Sequence, residues 1–525
     1  MKILLTACLA AGTLFAQVSY DRLRNAAREP ASWLTYSGDY QSHHYSALNQ
    51  INHSNVNRLK VAWMYQTRGR QHVETTPLVF DGVMYLTDPP SDVTALDLRT
   101  GRPIWHYRRG IPEGISVCCG QVNRGVAVLD DQLFIGTIDS HLVALDLKSG
   151  RVRWDVPVAD PKLGYSMTAA PLALKNKIIV GVAGAEYGVR GFLDAYDPKT
   201  GKRAWRFWTT PAPGEPGNET WSGDSWKNGG ATTWLTGSYD PELNLLYWGA
   251  GNPSPNYNGQ SRQGDNLYSD SVIALDADTG KLKWHFQFVP HDLNDIDSNQ
   301  IPVLLDAEYG GRRRKLMLFA NRNAFYYLLD RATGEFLLAK PFAKQTWAKS
   351  IDPRGRPVKN EASAPSEKGA LVYPDDDGTS NWFSPSYSPR TKLFYQNVRE
   401  KGAMYFLTEA QYQTGRMYLG ATKRNLTDEE PYGALRAWNA LTGEPAWEFK
   451  VHTPPWCGLL ATGGDLVFSG TMEGDFFALN ATNGKLLWRI QTGAEIWSNP
   501  ISYQHEGKQY IAVVAGSTLI TFAVE

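Results

Sequence analysis

The feature that most constrains this chain is a repeat: Ala-x-Asp or Ala-x-Asn, a Gly four residues on, and a Trp four residues after that. It reads Ala95-Leu96-Asp97…Gly101…Trp105, then Ala144-Leu145-Asp146…Gly150…Trp154 and Ala195-Tyr196-Asp197…Gly201…Trp205. It returns as Ala274-Leu275-Asp276…Gly280…Trp284, Ala437-Trp438-Asn439…Gly443…Trp447 and Ala478-Leu479-Asn480…Gly484…Trp488. A degenerate copy, Leu328-Leu329-Asp330…Gly334…Leu338, lacks the Trp. The Asp or Asn caps a turn, the Gly takes the positive φ of the reversal, and the Trp begins the next strand. With apolar strands such as Lys177-Ile178-Ile179-Val180 ahead of each copy, the unit has about four strands, the size of a propeller blade. The tryptophans are then scaffold that stacks between blades. Val61-Ala62-Trp63 reads as a strand that pairs with the C-terminal Leu519-Ile520-Thr521-Phe522 and removes the free edges. Seven copies plus that shared blade predict an all-β, eight-bladed β-propeller with tryptophan-docking repeats. The wide gaps between Asp197 and Asp276 and between Asp330 and Asn439 are insertions, and residues 211–230 and 345–380 read as loops.

A closed repeat fold can absorb 525 residues as one domain, expected here over 17–525. Residues 1–16 read as a secretory signal: Lys2, an apolar run from Ile3 to Phe15, then Ala16. Leu5-Thr6-Ala7-Cys8 has the look of a lipoprotein box, but the apolar run before it is too short. No later apolar run reaches the roughly 18 residues of a membrane span. Equal numbers of basic and acidic residues, 53 each, and no basic run argue against a nucleic-acid partner. An exported, periplasmic location is expected, where disulfides persist.

Val117-Cys118-Cys119-Gly120-Gln121-Val122-Asn123-Arg124-Gly125 holds two adjacent cysteines; Cys8 lies in the leader and Cys457 stands alone. Adjacent cysteines seldom bond, because the small ring pushes the peptide between them out of plane. Two reduced core thiols or a strained disulfide on which something packs are both open readings. Several polar segments fall outside the repeat: Glu74, Gly184-Ala185-Glu186, Asn252, the run from Asp292 through Asp295 to Asp297, and Arg322. Oxygen ligands from Glu, Asn and Asp suit a hard cation. Each alone reads as a solvated turn; their recurrence near strand ends on successive units points to one shared axial site.

On these residues the chain resembles, from about Trp33 to its C-terminus, the pyrroloquinoline quinone (PQQ)-dependent alcohol dehydrogenases, which are eight-bladed periplasmic quinoproteins. The resemblance implies that Cys118 and Cys119 form a disulfide on one face of PQQ and that Trp234 stacks on the other. It places Glu74, Arg124, Thr168, Gly184 and Ala185 around the cofactor's carboxylates and ring edge. Asn381 and Trp456 fall in the remaining contact segments, with plain core packing the other reading of Trp456. Ala183 stands where members often carry Ser. Glu186, Asn252 and Asp295 match the metal ligands, and Glu186 also adjoins the cofactor. Asp295 matches the general base and Arg322 the Arg beside the quinone oxygens. Calcium members usually have Ala two residues after that base and lanthanide members a second Asp. Asp297 therefore implies a lanthanide ion, with Ca²⁺ as the alternative.

The same resemblance implies oxidation of primary alcohols to aldehydes. Asn256 replaces a pocket-narrowing Trp of the methanol enzymes, so ethanol or longer alcohols are expected over methanol. No Cys-x-x-Cys-His occurs, so electrons are expected to leave to a separate cytochrome c. A homodimer is one assembly left open. The other readings are a sugar or polyol quinoprotein and a non-catalytic envelope assembly propeller; the second predicts neither the adjacent cysteines nor the Glu, Asn, Asp set.

Overall fold

The computed structural model describes residues 17–525 apart from Arg70 and Ser116; the expected leader, 1–16, lies outside the described residues. Each repeat makes the local structure its residues dictate. Asp97 Oδ1 accepts the backbone N–H of Thr100 at 2.9 Å, and the Gly101 N–H closes on the Asp97 carbonyl at 2.8 Å. The equivalent side-chain cap recurs at Asp146, Asp197, Asp276, Asn439 and Asn480. Gly280, at φ +69°, shows why glycine is needed in these turns: a Cβ there would come within 2.6 Å of the Trp205 ring. The glycine supplies both the backbone reversal and the floor for an indole from the preceding repeat.

Each of these tryptophans reaches out of its own sheet. Nε1 of Trp105, Trp154 and Trp205 donates to the carbonyls of Leu147, Pro198 and Ala277 at 3.2, 3.0 and 3.2 Å, in each case in the turn of the following repeat. In the degenerate copy Leu338 and Lys340 lie against Gly443 in place of an indole.

The protein is all-β. Among the described residues the strands form ten sheets, eight of them of four or five strands. Inner strands such as Gln132–Gly136 are buried on both faces, while the outer Val152–Pro157 is largely exposed. Two sheets recruit the N-terminal part of the chain. Tyr45–Ser46 runs parallel to Leu460–Thr462. Leu59–Gln66 pairs antiparallel with Thr518–Val524, so one sheet joins the two ends of the described chain. The longest helix, Tyr20–Arg24, has five residues, and no helix among the described residues is long and apolar enough to cross a membrane.

Residues 345–380 depart from the loop expected there. Ala348–Ile351 pairs with Pro357–Lys359 across a turn at Asp352, and Ala370–Val372 joins Ala403–Leu407. Buried Trp347, Val372 and Tyr405 tie this insertion into a core shared with Phe288 and with Phe319 and Tyr327 of a neighbouring sheet, which polar composition concealed.

Several candidate site residues sit just beyond the end of a strand, and the rest lie in the loops between strands. Glu74 precedes Leu78–Phe80, Glu186 follows Lys177–Gly181, Asn252 follows Leu245–Ala250, and Arg322 follows Arg312–Ala320. Residues distant in sequence thereby meet on one side of the sheets.

Candidate active site

These strand ends enclose a cavity of about 450 Å³. Its wall includes Glu74, Cys118, Cys119, Arg124, Thr168, Gly184, Glu186, Trp234, Asp295, Asp297, Arg322, Asn381 and Trp456. Ala185 and Asn252 are buried just behind it. The Ala185 carbonyl accepts the Ser254 hydroxyl, and the Asn252 backbone N–H donates to Asp297 Oδ1 at 2.8 Å.

Cys118 and Cys119 are bonded to each other, which decides between the two readings of the pair. Their sulfurs and a Glu186 oxygen lie within 4.8 Å of one another. Disulfide sulfur offers no thiolate, so this trio is not a metal centre. Cys457 is buried and unbonded, and burial pushes its thiol up to about 12, leaving it inert at neutral pH.

Arg124 organises one end of the cavity. Its Nη2 is 2.6 Å from Glu74 Oε2 and its Nη1 donates to Thr168 Oγ1 at 2.8 Å. The guanidinium lies 5.3 Å from the centroid of Trp234 and 5.2 Å from that of Trp382. A buried arginine fixed by aromatic faces, with Nε free of any hydrogen bond, suits an anionic, planar ligand.

Acids gather at the other end. Asp297 is 4% exposed, so it does not cap a solvated loop. Its Oδ2 accepts the Trp234 indole N–H at 3.2 Å and pairs with Arg322 Nη1. Asp295 has left-handed backbone, φ +58°, a conformation that a short polar Asp side chain tolerates. Asp292 builds that loop by accepting the N–H groups of Asn294 and Ile296 at 3.0 and 2.8 Å. Burial and then Asp297 push the Glu186 carboxyl up to about 7 and the Asp295 carboxyl well above its ordinary range. Asp295 Oδ1 and Asn252 Oδ1 are buried with no hydrogen-bond partner. Three carboxylates facing one guanidinium, with two unpartnered oxygens, are the donor chemistry of a hard, highly charged cation.

Sequence reasoning missed several wall residues. Tyr257, Asp376, Asp377, Trp382, Met417 and Trp497 also line the cavity. Trp456 stacks on Trp497 at 5.3 Å and under Arg399 at 3.9 Å. The run Asp375-Asp376-Asp377 was visible as charge but fell within a stretch read as loop. Trp382, next to Asn381, carried no periodic signal.

With this geometry in hand, comparison with known proteins is direct. Residues 33–341 match the family described as "Glucose/ethanol/alcohol dehydrogenase, beta-propeller domain", and residues 432–525 match "Outer membrane protein assembly factor BamB". The chain is 40% identical to the quinoprotein alcohol dehydrogenase PedH of Pseudomonas putida, over 98% of this chain and 91% of the relative. It is 38% identical to a lanthanide-dependent methanol dehydrogenase of Methylorubrum extorquens, covering 93% and 87% of the two chains. A europium-containing methanol dehydrogenase superposes with a TM-score of 0.91 at 33% identity, over 96% of this chain and all (100%) of that one.

Proposed function

This chain belongs to the PQQ-dependent dehydrogenases of the quinoprotein alcohol dehydrogenase family, and on that premise we propose that it oxidises primary alcohols to aldehydes using PQQ and one lanthanide ion. The observation that carries the proposal is the pairing of two surfaces on one cavity. The Cys118–Cys119 disulfide and the Trp234 ring both line it. Beside them Glu186, Asp295 and Asp297 converge, with Asn252 behind.

In this reading the Cys118–Cys119 disulfide, Trp234, Arg124, Thr168, Asn381 and Trp456 would hold PQQ. Glu186, Asn252, Asp295 and Asp297 would hold the metal. When bound, PQQ supplies a two-electron acceptor and the metal a Lewis acid. The remaining work belongs to the chain. Asp295 accepts the alcohol's proton. Arg322, aligned by Asp297, stabilises negative charge developing beside it. The Trp234 ring is kept in plane by its N–H···Asp297 bond. The buried walls exclude bulk water and strengthen each of these interactions.

Three carboxylates favour a trivalent ion over Ca²⁺, since hard cations are selected by ligand charge and number. The relatives named for lanthanides support the same choice. We further propose that the eight larger sheets are eight blades of one propeller over 17–525, docked by the repeat tryptophans and closed by Leu59–Gln66 against Thr518–Val524; the indole contacts and end pairing support it. Residues 1–16 serve as the export signal, the periplasm as the working compartment, and a separate cytochrome c as the electron acceptor.

PQQ titrated into the metal-free protein with La³⁺ tests the site through quenching of tryptophan fluorescence. Saturable one-to-one binding is expected, weakened by at least about tenfold in Trp234→Ala. Equal binding by wild type and variant contradicts the stacking face. Dye reduction with glucose but not with ethanol would move the substrate to sugars.

A further inference from the structure

Asp295 carries its carboxyl on an irregular loop, where no strand ladder aims it. Its two oxygens have different surroundings. Oδ1 is buried without a hydrogen-bond partner, whereas Oδ2 lies 3.3 Å from the Tyr257 hydroxyl. That hydroxyl is 2.8 Å from Asp376 Oδ2, so its single hydrogen is shared by two carboxyl groups. Asp376 is held in turn: its Oδ1 pairs with Lys423 Nζ, and its backbone N–H donates to the Tyr405 hydroxyl at 2.7 Å. The Tyr257 ring packs on Tyr405 with centroids 5.3 Å apart, and its backbone N–H donates to the Leu419 carbonyl at 2.9 Å. Ring and backbone are therefore fixed without the hydroxyl. Packing would be satisfied by Phe, yet the chain places a phenol oxygen between two acids in a buried wall. A buried hydroxyl is retained at no cost only where it has partners.

From this geometry, and resting on the reading of Asp295 as the base in alcohol oxidation, we infer that Tyr257 is a positioning residue. Its hydroxyl engages Oδ2 of Asp295 and leaves Oδ1 to the alcohol and the metal, while Asp376 and Lys423 keep the hydroxyl in place. The arm runs from the loop bearing Asn252 to the insertion that bears Asp376 and Lys423. The insertion thereby has a part in the chemistry through Asp295, although it supplies none of the metal ligands.

The test is Tyr257→Phe, measured beside wild type in the protein loaded with PQQ and La³⁺, with Tb³⁺ luminescence of the metal-free protein as a readout separate from turnover. A misaligned base slows the chemical step, so kcat is expected to fall about 10- to 100-fold, the range for loss of an outer hydrogen-bond partner. KM for ethanol stays within about threefold, and the Tb³⁺ midpoint within about twofold, because no ligand is removed. Lys423→Met lowers kcat in the same direction, and the double variant is no slower than Tyr257→Phe alone, since both act through one arm. Unchanged kcat in Tyr257→Phe overturns the inference, as does loss of Tb³⁺ binding in step with activity, which would make Tyr257 part of the metal site. Absence of turnover in wild type with every alcohol overturns the functional reading itself, and this inference with it.

Discussion

Glu186 sets a pH dependence whose sign can be worked out from its surroundings. The ordinary value for a glutamate is 4.5; here burial first and Asp297 second raise it to about 7. Below pH 4.5 the carboxyl is protonated in the folded and unfolded chain alike. Between 4.5 and about 7 the unfolded chain releases the proton and the folded one keeps it. The folded state then binds more protons, so stability falls as pH rises through that window and levels off above it. At about 1.36 kcal/mol for each pH unit the full cost is roughly 3 kcal/mol. Glu186 is only partly buried at the cavity wall, so water screens it and about 2 kcal/mol is the expected figure. Metal binding requires ionised carboxylates and expels these protons, so affinity rises over the same window. The assay is the denaturation midpoint of metal-free protein from about pH 5 to 8, with and without La³⁺, against Glu186→Gln, which cancels the titrating groups remote from the site. Wild type should lose stability relative to the Gln variant as pH rises, and La³⁺ should stabilise wild type most above about pH 7. A wild type that gains relative to Glu186→Gln over that range, or La³⁺ stabilisation that shrinks with pH, refutes the reasoning.

Replacing both Cys118 and Cys119 by Ser leaves a folded protein with an unchanged far-ultraviolet spectrum but faster loss of PQQ on dialysis, because the blades do not need the bond and the cofactor face does. Gly280→Ala puts a Cβ within 2.6 Å of Trp205 at φ +69° and should lower stability by about 1–3 kcal/mol, read as a lower Tm. Asn256 is buried on the cavity wall, so kcat/KM is expected to be higher for ethanol and 1-butanol than for methanol. Asn256→Trp narrows that preference; a wild type that favours methanol refutes the assignment.

The scaffold was legible because its code is local. Asp97, Gly101 and Trp105 lie within nine residues, and each does in the structure what its chemistry dictates in isolation: it caps, reverses or stacks. The site was legible only in part. Glu186, Asn252, Asp295 and Arg322 are short-range unremarkable, and their meaning came from resemblance to a family. Tyr257, Asp376 and Trp382 were illegible because their roles exist only once distant loops meet. The acids at 375–377 fell within a stretch read as loop, yet Asp375 is fully buried against Lys401 and Lys423. The strands within 345–380 were hidden for the same reason: Trp347, Val372 and Tyr405 are separated in sequence and pack with residues such as Phe288 and Tyr327 from elsewhere in the chain, in a core assembled by tertiary packing.

The central claim, lanthanide-assisted oxidation of an alcohol by PQQ at this cavity, is tested most directly by reconstitution. Metal-free protein is supplied with PQQ and either La³⁺ or Ca²⁺, and ethanol-dependent dye reduction is measured in wild type and in Asp297→Ala. The account predicts turnover with La³⁺, little with Ca²⁺, and loss of the La³⁺ response in the variant, where one of the three carboxylates is gone. Full activity with Ca²⁺ alone contradicts the assignment of the metal, and no ethanol oxidation with either ion contradicts the assignment of the reaction.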